Sequence, residues 1–583
     1  MMTKPKNKVE KDGIFIFPNQ TYTLPEEKRT WLGQWIWASD DIYPQYQESP
    51  FTLFQKIKWN FAVFYFRKKF QLNSIPKEAV LYISADSFYK VCVNDQFIGR
   101  GSAQPGGDYA NCDSLPYKYY EYYDVKSALR EGENIISVQV CLGPVVQSEV
   151  CCGHGGLIAD LCIECVETAM TVKTDTSWEC MRERAYESRE VWNGSSRSGM
   201  KDGGVYSLAG IVENQGQFPE LLAAAIPRLR YIKRGIKNLQ NPFDKRGSER
   251  VNYNPEEDTI HIKAGAPYTF WLDYGEIYAA WPHMEIEGGA GTKVTLHMQE
   301  FQGKLEREGT TEIYVLGEGW NHIESLRMHS VHYIQVTISN IYKDVKIKKP
   351  QIEISVYPSG MDGDFQCSDP VFEKIYRIGC RTNQICRQTY HMDSPIHQEP
   401  LGCMGDYMIE SLMNYYTFGD QWLTRFDILK ISRYLKLKDY KMFHTSYCLL
   451  YIQMIYDYVL YTGDVHILDC LEETVTGIIH RFTGYLGEKY LIEHAPNYMF
   501  MDWVAEGSYN RHHPPKCMGQ GYLTVMLAGA LNTYCKLLQL TGNEQNIVKY
   551  KKIESQIKEG VNRYLWDEEK QLNVDGLYDE KAV

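Results

Sequence analysis

Three carboxylates, Asp393, Glu399 and Asp406, stand six and seven residues apart in the stretch HMDSPIHQEPLGCMGDYMIESLMNYYTFGD, residues 391–420. On a continuous helix they would share no useful face. Pro395 and Pro400 exclude that helix, and Gly402 and Gly405 permit tight turns. The segment therefore reads as a stiff loop joining two helices, with its acids free to converge beside His397 and Gln398. Such a group suits glycoside hydrolysis: one carboxyl stays protonated through burial and neighbouring negative charge, and a second activates water or attacks. Each acid also has a plain structural role. Asp393 before Ser-Pro suits an Asx-turn, Asp406 after Gly suits a helix N-cap, and Glu399 suits a solvated position.

A second cluster, NYMFMDWVAEGSYNRHHPPKCMGQG, spans residues 497–521. Asp502 beside Trp503 pairs a hydroxyl acceptor with a stacking face, although Trp503 would serve equally as a core aromatic. The adjacent His512 and His513 point apart on most backbones and make a poor metal pair. CIEC at 162–165 has no second cysteine pair, and Cys151-Cys152 has no supporting neighbours. MDGDFQCSD at 361–369 lacks the closing Glu of a calcium loop. No cofactor and no metal is expected.

These groups need elements to hold them. The chain has 583 residues, which suggests about three to five domains. Its composition, 44% hydrophobic and 23% charged, is that of a globular protein with several cores. A net charge of −12 without a Lys/Arg tract argues against nucleic acid as a partner. No apolar run reaches the roughly 18–20 residues a membrane span needs. The N-terminal MMTKPKNKVEKDGIFIFPNQTYT is basic and lacks the apolar core of a signal peptide. Sixteen cysteines without a framework of spacings suit a reducing compartment, and the cytoplasm is the expected location.

After an N-terminal extension over 1–30, residues 31–165 alternate as β-structure in FAVFYFRKKFQL, AVLYISADSFYKVCVNDQFIGRG and NIISVQVCLG. NDQ, QPGGDY and REGEN supply turns, so a sandwich or jelly roll is expected. A second sandwich is expected over 166–360. The character changes near 369, where Ser, Asp and Pro open a helix. Further helices are expected at about 406–418, 421–436, 446–461, 465–483, 519–540 and 545–564, as a bundle or an α/α toroid over 361–583.

At residues 393–406, DSPIHQEPLGCMGD resembles the α-L-rhamnosidases of glycoside hydrolase family 78, whose hallmark is Asp-x-Pro, a Glu, then Gly-x-x-Gly-Asp opening a helix. The resemblance continues through YMIESLMNYYTFGD, SYCLLYIQMIYDYVLYTGD, MDW and HHPPKCMGQ. Upstream it is less specific, in VNDQFIGRG, PGGDY, WLDYGEIYAAWPHMEIEGGAGTKVTLHMQEF and HSVHYIQV. The implied fold is β-sandwiches followed by an (α/α)6 toroid, here incomplete. The implied reaction is inverting hydrolysis of terminal α-L-rhamnose from rhamnose-containing glycosides. Glu399 would be the general acid. Asp393, Asp406, Asp502 and Trp503, with His397 nearby, would bind the sugar. His397 and Cys403 replace residues that are often Arg and Trp in the family. The family's base is a Glu contributed late in the toroid; Glu493 and Glu506 do not match its position, so the base is expected beyond Val583 and this chain alone is expected to be inactive. Two other readings fit the same residues: a toroidal glycosidase for a different sugar, or a carbohydrate-binding protein without chemistry. Association with a second copy is left open.

Overall fold

The computed structural model describes residues 9–11, 13–18, 21–38, 44–48, 56–60, 62–103, 106, 108, 115–142, 155–188, 195–197, 206–212, 220–241, 249–302, 310–396, 398, 401–493, 495, 499–501, 505–506, 509–510, 520–578 and 581–582. Two sheets pack over the first core. One has the strand order Gly210–Ile211, Ile36–Trp37, Gly156–Glu164, Glu78–Asp86, Tyr117–Asp124, Glu220–Ala223, with Ala169–Lys173 beside Gly156–Glu164. The other has the order Ser207–Leu208, Glu179–Arg182, Ala62–Leu72, Gly132–Leu142, Phe88–Val93, Gln96–Gly101. Alternation places Leu81, Ile83 and Leu157 of the first sheet against Phe64, Phe66, Val91, Ile136 and Val138 of the second. Asn94 and Asp95 take φ of 49° and 61° in the two-residue turn between Phe88–Val93 and Gln96–Gly101. This is the turn geometry that short polar residues tolerate and antiparallel strands prefer.

The first core does not stop at residue 165, where the expected boundary lies. Trp178, Cys180 and Ala209 are buried in it, and strands as late as Glu220–Ala223 pair into its sheets. Short polar strands give a weak alternation signal, which is why the sequence pattern places the change too early.

A twelve-stranded sheet follows, built on Tyr268–Glu287, His329–Ser339 and Val345–Val356. Phe270, Leu272, Met284, Val294, Val336 and Ile352 fill its core. Phe15, from the N-terminal strand Ile14–Ile16, is buried in this same core.

Seven α-helices are present among the described residues: α1 (Pro370–Cys386), α2 (Met404–Thr417), α3 (Trp422–Leu437), α4 (Tyr447–Thr462), α5 (Ile467–Thr483), α6 (Gln520–Leu540) and α7 (Glu544–Tyr564). Each matches an expected helix within a few residues. Asp369 caps α1 by accepting from the Val371 amide at 2.9 Å, with Pro370 at the first helical position. Helices α2, α4 and α6 pack successively on one another, while α3 packs on α5 and α6 on α7. Helix α4 buries residues on nearly every side, including Cys448, Leu449, Tyr451, Ile452, Met454 and Ile455, as its apolar sequence requires. The helices meet the sheets through Gln384 of α1. Its amide accepts from the Phe15 backbone N–H at 2.9 Å and donates to the Phe15 carbonyl at 2.6 Å.

Candidate active site

The acidic loop leaves α1 at Arg387, which is fully buried. Its guanidinium donates to Asn414 Oδ1 at 2.7 Å and to Ser359 Oγ at 2.5 Å, and lies 4.0 Å from the Phe418 ring centroid. The C-terminal ends of α1 and α2 are thereby tied to the linker from the sheets. The Met392 amide donates to the Cys386 carbonyl at 2.9 Å, and the Cys386 thiol reaches the Asp393 carbonyl at 3.6 Å. Asp393 is half-buried and accepts from its neighbour Ser394 Oγ at 3.1 Å.

The loop then turns back on itself. The Gln398 amide donates to the Ser394 carbonyl at 2.9 Å, with Gln398 at a φ of 51°. Its side chain donates to the carbonyls of Pro395 at 2.8 Å and Met328 at 3.2 Å. Met328 belongs to the region of the twelve-stranded sheet, so the loop is hooked to a second part of the molecule.

A third part reaches the loop from the first pair of sheets. A Cβ on Gly106, which sits at a φ of 107°, would stand 2.7 Å from Leu401 Cδ2. A Cβ on Gly402 would stand 2.5 Å from Asp108 Oδ1. Asp108 also accepts from the Phe443 amide at 2.8 Å. Glycine at 402 is thus a matter of close approach, since any side chain would collide with the carboxylate.

Asp406 is half-buried and is the third residue of α2, whose N-cap is Cys403. The N-cap alternative for Asp406 is therefore not realised. Its charge sits in the first turn, where the helix dipole favours an anion. Glu399, His397, Asp502 and Trp503 lie outside the described residues, as do Cys151 and Cys152. The approach to the second cluster is described, however. Phe500 stacks on His444 with centroids 4.5 Å apart, and its carbonyl accepts from Ser446 Oγ at 2.5 Å. His444 Nδ1 is 3.8 Å from Cys403 Sγ. The segment leading to Asp502 is thus packed against the end of the acidic loop.

The electrostatics identify carboxylates that the sequence pattern leaves unremarked. Burial pushes the Cys386 thiol far up, and the negative charges of Glu410, Asp393 and Glu300 push it further. Glu410 lies one helical turn beyond Asp406 on α2, a spacing the sequence does display. Glu300 comes from the twelve-stranded sheet and accepts from Ser330 Oγ at 2.6 Å. Asp108 comes from the glycine-rich QPGGDY segment, read from sequence only as a turn. Acids from a loop, a helix and a sheet thus gather around one segment. Such a group can hold sugar hydroxyls as acceptors and favour the protonated form of a nearby carboxyl.

Cys162 and Cys165 are unbridged, and Cys165 Sγ approaches the Ser74 carbonyl at 3.8 Å. No group of metal-ligating side chains is found among the described residues.

Residues 74–202 match the family model described as "Alpha-L-rhamnosidase N-terminal domain". A search of curated proteins finds no match. Among solved structures, the GH78 family rhamnosidase of Bacillus sp. GL1 aligns with a TM-score of 0.75 and 16% identity, over 95% of this chain and 79% of that one. The α-L-rhamnosidase of Dictyoglumus thermophilum aligns at 0.67 and 19%, over 92% and 60%. That of Streptomyces avermitilis, solved in complex with L-rhamnose, aligns at 0.63 and 17%, over 89% and 50%. The chain has the fold of these proteins and spans between half and about four-fifths of their length.

Proposed function

We propose that this chain, which carries an α-L-rhamnosidase N-terminal domain and the GH78 rhamnosidase fold, belongs to that family and holds the sugar site and the general acid for inverting hydrolysis of terminal α-L-rhamnose. The observation that carries the proposal is the acidic loop, clamped by the first pair of sheets at Gly106 and Asp108, by the twelve-stranded sheet at Met328 and, where it runs into α2, by Tyr447 of α4, which a Cβ on Gly405 would meet at 2.8 Å. A loop held from three sides keeps its acids in register with a sugar, and its prolines lower the entropy lost on ordering. Glu399 is the proposed general acid. Asp393 and Asp406 are proposed to accept from rhamnose hydroxyls and, with Glu410 and Glu300 nearby, to favour its protonated form. His397, Asp502 and Trp503 are proposed to complete the sugar pocket. The alternation of α2, α4 and α6 with α3 and α5 supports an α/α toroid, and the two sheets over one core support a sandwich. Inversion requires a second carboxylate roughly 6.5–9.5 Å from the acid, leaving room for water. No residue of this chain is assigned to it. The twelve described cysteines are unbridged, which supports a reducing compartment such as the cytoplasm.

The test compares rhamnosides with good and poor leaving groups in wild type and Glu399→Gln. Loss of the acid should slow the poor leaving group by about 10²–10⁴ and the activated one much less. Equal turnover of both substrates by the two proteins would overturn the assignment. Neither turnover nor L-rhamnose binding by the folded chain would overturn the function.

A further inference from the structure

We propose that Asp427, braced by Lys430, is a positioning residue that sets the entry of the acidic loop through His391. Asp427 lies in the middle of α3, and Asp427, Lys430 and His391 are each fully buried. Its Oδ2 accepts both the backbone N–H of His391 at 3.0 Å and the ring Nδ1–H at 2.9 Å. Its Oδ1 faces the Lys430 ammonium at 3.3 Å. Lys430 in turn stands 5.4 Å from the Tyr390 ring centroid and 5.1 Å from that of Phe426. A buried carboxylate is tolerated only when paired and hydrogen-bonded, and here its partners are one cation and one loop residue.

The consequence for the loop is direct. Asp427 fixes residue 391, the Cys386 carbonyl fixes the amide of 392, and the Cys386 thiol fixes the carbonyl of 393. The two residues before the first acid of the site, and the carbonyl of that acid, are thereby held. His391 is also a poor choice for packing alone. With Nδ1–H given to a carboxylate, its Nε2 stays desolvated and has no partner among the described residues. A phenylalanine would fill a similar volume without that penalty. The histidine is explained by the bond its Nδ1 makes, and that bond holds the backbone entering the loop.

This role rests on the proposal that the loop is the sugar site, so the test has one readout that does not involve sugar. His391→Phe keeps the ring volume and removes the Nδ1 donor. His391→Asn offers a side-chain N–H in its place. Amide hydrogen exchange over residues 391–401 should rise at least fivefold in His391→Phe, while exchange in the middle of α5 stays unchanged. Kd for L-rhamnose should rise at least fivefold as well. His391→Asn should return both to within threefold of wild type. Unchanged loop exchange in His391→Phe, or a folded His391→Asn no better than His391→Phe, would overturn the role. If His391→Phe does not fold, the asparagine variant alone decides: loop exchange within threefold of wild type supports the role, and a larger rise refutes it. Exchange that behaves as expected in a wild type that binds no rhamnose would leave the positioning role standing and refute the sugar site.

Discussion

Glu324 and Asp393 both sit where distant parts of the chain meet, but Glu324 is held by Lys90 and Arg100 whereas Asp393 lies in company with other acids. Glu324 lies between the first pair of sheets and the twelve-stranded sheet. Lys90 Nζ approaches it at 2.5 Å, and Arg100 bridges it to Glu353, 2.9 Å away. Burial alone would raise the Glu324 carboxyl, but the His322 hydrogen bond and the Arg100 and Lys90 cations outweigh it and hold it far below the usual range. Near Asp393 the neighbours include further acids. The charges that act on the Cys386 thiol are those of Glu410, Asp393 and Glu300, all negative. The first arrangement fixes two bodies together. The second brings Asp393, Glu410 and Glu300 together around a loop, where carboxylate oxygens can accept from hydroxyl ligands.

Breaking the compensated interface should have the largest effect on stability. Arg100→Met leaves Glu324 and Glu353 buried without their shared cation, and should destabilise by about 3–5 kcal/mol in urea unfolding. A loss under 1 kcal/mol would show that this network contributes little to holding the sheets together.

Glu121 sharpens the comparison, because it is a buried acid without a full counter-charge. Burial raises its carboxyl to about 7, against the Arg228 charge and hydrogen bonds from Tyr89 and Ala103. In the unfolded chain the same group titrates near 4.5, so between pH 4.5 and 7 the folded state binds more protons. Stability should then fall as pH rises through that window, by about 3 kcal/mol for this group, and be constant above it. Glu121→Gln should remove that slope. Glu324 has the opposite sign, its stabilisation being present above about pH 4.5 and lost as pH falls. Unfolding measured from pH 2 to 8 separates the two, with the Glu121 slope above pH 4.5 and the Glu324 loss below it.

Gly402→Ala tests the clamp on the loop. Its Cβ meets Asp108, so a loss of about 1–3 kcal/mol is expected, with partial recovery in Gly402→Ala/Asp108→Ala. Additive losses in the pair would mean that the two residues are not in contact. Asp369→Ala removes the α1 cap and should cost about 1 kcal/mol, leaving the loop unaffected.

Much of this was legible in the sequence. The Ser-Asp-Pro start of α1 and the apolar spacing of the later helices announce themselves locally, as does the loop between Pro395 and Gly405. What eluded it is long-range. Glu300 and Asp108 reach the site from sheets more than ninety residues upstream of Asp393, and alternation reports which face of a strand is buried, not what covers it. Phe15 looks like part of an N-terminal extension, yet it fills the core of the twelve-stranded sheet and anchors α1 through Gln384. Asp427 sits mid-helix in WLTRFDILK, where a single acid reads as a solvated face, and only tertiary packing reveals that it holds the loop.

The most direct test is a calorimetric titration of L-rhamnose into the folded chain and into Asp393→Asn. The account predicts one site in the wild type and at least tenfold weaker binding in the variant. A folded wild type that binds no rhamnose, or a variant that binds as tightly, would contradict it.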